Sequence, residues 1–122
     1  EEKTHETVLE INLNAVSHNL NFFKSKLAPN TKMMVMVKAF GYGSGSFEIA
    51  KLLAHHKIDY LGVAFADEGI ALRNAGITMP IIVMNPENSA FAAMVAYNLE
   101  PEIYSASVLK KFIVSIISSG FE

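Results

Sequence analysis

Met33-Met34-Val35-Met36-Val37-Lys38-Ala39-Phe40-Gly41-Tyr42-Gly43-Ser44-Gly45 is the stretch on which the reading of this chain turns. Five apolar residues run straight into one amine, Lys38, and a glycine-rich turn follows at once. The apolar run has the length and bounds of a buried strand. Side chains alternate along a strand, so Lys38 is expected on the face of Met34 and Met36. An ammonium at the end of a dry strand is costly unless it is paired or neutralised. Such a setting favours a neutral, nucleophilic amine, the form that condenses with carbonyl compounds.

Outward from this stretch, strands and helices alternate. Leu9, Ile11 and Leu13 alternate with Glu10 and Asn12, which predicts a half-exposed strand. A helix opens at Asn14 or Ala15, with Val16, Leu20, Phe23 and Leu27 on one stripe, and Pro29-Asn30 ends it. After the strand at 33–38 the pattern predicts a helix over 46–56 and a strand over 60–65. A helix over 67–75 follows, closed by Gly76, and then a strand over 81–84. Asn85-Pro86 turns into a helix carrying Phe91, Met94 and Val95, and 102–104 reads as a short strand. Ser105 caps a last helix, stopped by Gly120. Its broad apolar face comes from Val108, Leu109, Phe112, Ile113, Ile116 and Ile117.

Strands that are each followed by a helix are the rhythm of an α/β parallel sheet. The strands are almost uniformly apolar, which predicts cover on both faces. The first, alternating strand is expected to lie outside the parallel set. Four βα units preceded by that extra strand and helix amount to a partial (β/α)8 TIM-type barrel, or to a small open doubly wound sheet. A half barrel leaves two strand edges unpaired, which invites self-association.

The chain has 122 residues, 51% of them hydrophobic, and a net charge of −2 from 10 basic and 12 acidic residues. That suits one compact domain or part of a larger one. No basic block is present, so nucleic acid is not an expected partner. There are no cysteines, which excludes disulfides and thiolate metal sites and permits a reducing, cytoplasmic setting. No apolar stretch has the length of a membrane span. The acidic opening does not read as a signal peptide, and the missing initiator methionine fits a piece of a longer protein or a processed one.

In parallel α/β architectures ligands bind at the carboxyl ends of the strands. Lys38 is expected there, with Gly41, Gly43 and Gly45 allowing a close backbone approach to a ligand. Tyr42 adds a hydroxyl able to donate to an anion. The plain alternative is a lysine that reaches from a strand end to water above a simple turn. The glycine spacing is neither a Walker A loop, since Lys38 precedes the glycines, nor a dinucleotide fingerprint.

Val37-Lys38-Ala39-Phe40-Gly41-Tyr42-Gly43-Ser44-Gly45 resembles the signature of alanine racemases, which are pyridoxal-phosphate barrel enzymes. Leu9 to Leu20 resembles that family's opening strand and first helix, and Asp67 to Ile77 its E-x-x-x-L-R-x-A-G-I segment. Leu99 to Ser105 is similar to the strand that follows. Two positions depart: Phe40 stands where Asn or Asp is usual, and Ser44 where His is usual. These departures resemble the racemase halves of bifunctional cell-wall enzymes in which a peptide ligase precedes the racemase.

The resemblance implies that Lys38 is the covalent attachment point for pyridoxal 5'-phosphate and an acid–base group at the substrate α-carbon. It implies that Tyr42 donates to the cofactor phosphate. The implied substrate is alanine, the product D-alanine for peptidoglycan, and the parent a cytoplasmic homodimer. The family's second base is a tyrosine from another domain, which nothing here matches, and its remaining cofactor contacts come from later strands. Residues 1–122 therefore read as the N-terminal part of the barrel domain, inactive alone. Two other readings stay open. One is a single-domain pyridoxal-phosphate homeostasis protein, disfavoured by the Y-G-x-G turn. The other is a non-catalytic interaction module.

Minor features have plainer explanations. His55-His56 suits a helix C-terminus, and adjacent positions on a helix point apart, against a metal pair. Met33, Met34 and Met36 are expected to fill the core. Asp67-Glu68 suits a helix start, with a site role as the lesser alternative, and Arg73 is expected to pair on the helix surface. Tyr104 is a candidate for the barrel mouth.

Overall fold

The computed structural model describes residues 7–120. Its elements in order are α1 (Leu13–Lys26), β1 (Met34–Met36), α2 (Lys38–Tyr42), α3 (Ser46–His55), β2 (Tyr60–Val63) and α4 (Ala66–Asn74). They continue with β3 (Ile81–Val83), a 3-10 turn (Asn88–Ala90), α5 (Phe91–Ala96), β4 (Glu100–Pro101) and α6 (Ala106–Ser118).

The four strands form one parallel sheet in the order β1-β2-β3-β4. Sequential order with right-handed crossovers places the connecting helices α3, α4 and α5 on one face of the sheet. A doubly wound sheet, which reverses its strand order, is thereby excluded, and the arrangement is that of part of a (β/α)8 barrel. The covered face carries Val37, Leu61, Val63, Ile81 and Val83, all buried against Leu53, Leu72, Phe91 and Met94.

The opposite face departs from the expectation of two-sided burial. Met34 is 42% exposed, and Met36, Tyr60 and Ile82 are half-exposed. The helices that connect these strands lie on the other side, and α1 only borders a cleft of about 440 Å³ shared with Met34 and Met36. Met34 and Met36 thus do not fill the core as expected; they flank Gly62, where a Cβ would run into the Met36 sulfur. Met33 and Val35 are the residues of this strand that pack inward.

The alternating segment at Leu9–Leu13 forms no strand. Residues 7–12 are irregular, Leu9 is exposed, and Leu13 is already the first residue of α1. A strand needs a partner for its ladder, and no described segment pairs with this one. Asn12 instead caps α1, its side chain accepting the Ala15 N–H at 3.1 Å. The stripe on α1 is only partly used, with Leu20 buried and Phe23 exposed. Lys24 Nζ fastens the helix to the end of α3 by donating to the His56 carbonyl at 2.6 Å.

The last strand is Glu100–Pro101 rather than 102–104. Its register pairs Glu100 with Ile82 and Pro101 with Val83. Pro101 is tolerated because β4 is an edge strand, where a missing N–H costs no ladder bond. The Glu102 N–H still reaches the Val83 carbonyl at 2.9 Å. In α6, Ser105 caps Val108 as expected. Val108 is buried and Phe112 meets Phe91 edge-on at 5.2 Å, while Leu109, Ile113 and Ile117 remain exposed.

Candidate functional site

Val37 is the last fully buried residue of the first strand region, at 1% exposure, and its N–H donates to the Gly62 carbonyl at 2.8 Å. Its backbone, at φ −124° and ψ 16°, has already left the extended conformation. Lys38 therefore stands beyond the strand, at its carboxyl end, and is half-buried. The expectation that Lys38 continues the strand on the face of Met34 and Met36 is corrected here. Alternation between faces holds only while the chain stays extended, and from Val37 onward the turn decides where the amine goes.

That turn is wound the wrong way. Ala39, Phe40 and Gly41 have φ/ψ of 50°/49°, 54°/41° and 62°/35°, and Tyr42 has φ 56°. Left-handed backbone costs roughly 1–2 kcal/mol for each residue that carries a Cβ. Gly41, Gly43 and Gly45 adopt positive φ freely, but Ala39, Phe40 and Tyr42 do not. The spacing of glycines foretold a tight turn, not that three bulkier residues would share its strain. The turn recovers part of this through hydrogen bonds. The Gly41 N–H donates to the Val37 carbonyl at 3.1 Å, and the Phe40 carbonyl accepts from Gly43 at 3.1 Å and Gly45 at 3.0 Å. Strain of this kind persists where the surroundings enforce it, and it concentrates at functional sites.

Tyr42, the second sequence-predicted residue, is brought to Lys38: the ammonium lies 6.0 Å from the centre of its ring. Its side chain is 67% exposed. Amine and phenol thus project from the same turn.

Glu68 is the residue for which sequence reasoning preferred a plain helix-start role. It sits in the first turn of α4, whose capping residue, Phe65, has no side-chain acceptor. One carboxylate oxygen, Oε2, accepts from Ala64 N–H at 2.7 Å and Phe65 N–H at 3.1 Å. The other, Oε1, accepts from Ala39 N–H at 2.7 Å. A single side chain therefore joins the end of β2 to the peptide that follows Lys38. The sequence signal was an acid at a helix start beyond a strand's carboxyl end, and its reach across 29 residues had no local signature. The neighbouring Asp67 turns back on its own helix, accepting the Glu68 N–H at 2.9 Å.

Two clefts open at this end of the sheet. A cleft of about 290 Å³ lies between the Lys38 turn and α4, lined by Val37, Phe40, Ser46, Val63, Asp67 and Glu68 among others. A wider, open one of about 960 Å³ lies over β3 and β4, bordered by Phe65, Asn85, Glu102 and Tyr104. Tyr104 is thus at the carboxyl rim of the sheet, as foreseen for a barrel mouth, but it does not join Lys38. Neither cleft is lined by Lys38. Among the described residues no cluster of three or more His, Asp or Glu has the arrangement of a metal site.

Arg73 is placed at the opposite end and does not form the surface pair expected of it. Its guanidinium donates to the carbonyls of Ile77, Met79, Tyr97 and Asn98 at 2.7–3.0 Å. Burial lowers its pKa, and the negative charge of Glu100 opposes that shift.

A family model described as alanine racemase, N-terminal domain, matches residues 11–115. Alanine racemase 1 of Oceanobacillus iheyensis is 37% identical over 103 residues, covering 84% of this chain and 27% of that protein. Alanine racemase 2 of Bacillus subtilis is 46% identical over 79 residues, 65% of this chain and 20% of that protein. The solved alanine racemase of Clostridium difficile 630 superposes with a TM-score of 0.86 at 38% identity, over 90% of this chain and 30% of its own. The chain thus spans between 20% and 30% of the proteins it matches here.

Proposed function

We propose that this chain, which belongs to the alanine racemase N-terminal domain family, supplies the lysine-bearing part of a pyridoxal-phosphate-dependent enzyme that interconverts L- and D-alanine. The observation that carries this reading is Lys38, half-buried at the carboxyl end of β1 and held beside a strained turn, inside the span of the family match.

The donor set fits the cofactor as far as it extends. Lys38 offers a primary amine suited to an aldehyde. Tyr42 offers a phenol that donates to phosphate oxygens, from a ring 6.0 Å from that amine. When bound, pyridoxal phosphate supplies an electron sink for negative charge developing at the substrate α-carbon. Lys38 anchors that group and serves as proton acceptor and donor at the α-carbon on one face. Inversion needs a second acid–base group on the other face, which by family resemblance is a tyrosine lying outside these residues. The 122-residue polypeptide is accordingly expected not to racemise alanine by itself. Its parent is expected to be a cytoplasmic homodimer providing D-alanine for peptidoglycan. The Y-G-x-G turn favours this reading over a single-domain cofactor-homeostasis protein.

The test is chemical. The chain is incubated with pyridoxal phosphate, reduced with borohydride and mapped by mass spectrometry. A label concentrated on Lys38, one of nine lysines, is the expected result. Label spread evenly over the nine, or none, overturns the assignment and favours a non-catalytic module.

A further inference from the structure

We infer that Glu68 is a positioning residue for Lys38, holding the amine in place through the peptide that joins it to Ala39. This rests on the reading of Lys38 as the cofactor lysine and adds a residue to it. Glu68 does not touch the amine. It acts on the backbone, at a point where the backbone is intrinsically reluctant.

Ala39 is the first residue of the left-handed turn. The turn's own bonds run from Gly41, Gly43, Ser44 and Gly45 back to Val37, Phe40 and Gly41. The Ala39 N–H goes instead to Glu68 Oε1, at 2.7 Å. Because a peptide is planar, holding the Ala39 N–H restricts how the Lys38–Ala39 peptide can rotate. That limits the backbone angles available to Lys38 and, through them, where its amine can reach. The anchor itself is firm, because Oε2 is held by the Ala64 and Phe65 N–H groups, directly after the buried β2. Hydrogen bonds from N–H groups to a carboxylate are shorter and stronger than neutral ones. The strained turn is thus referenced to the neighbouring strand through one side chain.

Two substitutions separate clamp from cap. Glu68→Asp keeps a carboxylate in the first turn of α4 and loses the reach to Ala39. Glu68→Gln keeps the length but has one acceptor oxygen for two groups of donors, and its amide presents N–H to N–H at one of them. In the trapping reaction the Lys38 amine adds to the pyridoxal-phosphate aldehyde, water leaves as C=N forms, and borohydride hydride reduces it to a stable secondary amine. In both variants the Lys38 adduct is expected to form more slowly, on the order of tenfold, the size of losing one hydrogen bond to a charged group. Labelling of Lys110 and Lys111 is expected to be unchanged. A variant that merely loosened the fold would change all the lysines together.

Independently of the cofactor, the Ala39 amide is expected to lose protection in hydrogen exchange in both variants. An unsubstituted chain that labels at Lys38, with both variants labelling it equally fast, overturns the role of Glu68 and leaves the cofactor reading standing. An unsubstituted chain that shows no preference for Lys38 overturns the cofactor reading itself. Undiminished Ala39 protection in Glu68→Asp overturns the clamp whatever the labelling shows.

Discussion

Arg73 Nη1 donates to the Met79 carbonyl at 2.7 Å, across the turn that returns the chain from α4 to β3. The same nitrogen also reaches Ile77, and the rest of the fork reaches Tyr97 and Asn98 on the approach to β4. One side chain thus closes two successive βα units at the end of the sheet away from Lys38. The planar fork is what makes this possible, and a lysine cannot reproduce it. Arg73→Lys is expected to lower stability by about 2 kcal/mol, the order of one or two charged hydrogen bonds lost in a partly wet site, with Lys38 labelling intact. Urea denaturation measures the first and adduct mapping the second. The loss is expected to be the same at about pH 6 and about pH 9, because arginine is protonated in both states throughout that range. Its lowered folded pKa is a constant penalty there, and that penalty fades only as pH rises through the folded value.

Phe40 carries left-handed backbone at φ 54° while its side chain is 68% exposed. It therefore bears conformational cost with little burial in return. Asn tolerates this region far better than a bulky residue. It is also among the residues usual at this point of the signature that Val37–Gly45 resembles. Phe40→Asn is expected to raise stability by about 1 kcal/mol, read as a higher melting temperature. An unchanged or lower melting temperature would mean that Phe40 gains more from lining the cleft beside α4 than its backbone costs.

The sequence made the βα rhythm legible because the strands at 34–36, 60–63 and 81–83 are short, apolar and bounded by turn residues. It placed the last strand at 102–104, and only the pairing of Pro101 with Val83 shows that an edge position accepts the proline. It gave Leu9–Leu13 a strand because alternation records a half-buried surface and says nothing of whether a partner strand exists. Lys38 and Tyr42 were legible as residue types in a rare local pattern. Glu68 and Arg73 were visible in the E-x-x-x-L-R segment, but their roles were not, because both act on backbone groups far away in sequence.

Gly69 lies in α4 where a Cβ would meet Leu99 Cδ1 at 3.0 Å and Cδ2 at 3.1 Å, and Ile81 Cγ2 at 3.5 Å. Two effects oppose one another in Gly69→Ala. Helix propensity favours alanine by about 0.5–1 kcal/mol. Overpacking a core contact costs roughly 1–3 kcal/mol. Leu99 is buried and Ile81 is fully enclosed, so neither can move aside cheaply and the second effect prevails. The expected outcome is a net loss of about 1 kcal/mol in chemical denaturation. A stabilised variant would show that Leu99 has a free rotamer available.

Ile117, Val114, Ile113 and Leu109 leave an exposed apolar strip on α6, and Ile117 is 69% exposed. Exposed apolar strips promote association, and the edges of β1 and β4, unpaired among the described residues, add to the tendency. Magnitudes set the expected strength. Four half-exposed side chains on each of two copies, at about 1 kcal/mol apiece, give roughly 8 kcal/mol in gross terms against an association cost of at least about 4 kcal/mol. The net corresponds to a dissociation constant of about a millimolar. Light scattering should therefore show weak, concentration-dependent association of the isolated chain rather than a stoichiometric dimer at micromolar concentration. Replacing Ile113 and Ile117 together by Lys is expected to abolish it with little change in melting temperature, since neither side chain is buried in the folded chain. Association that survives this double substitution would assign the contact to the sheet edges instead, where Met34 on β1 becomes the residue to replace.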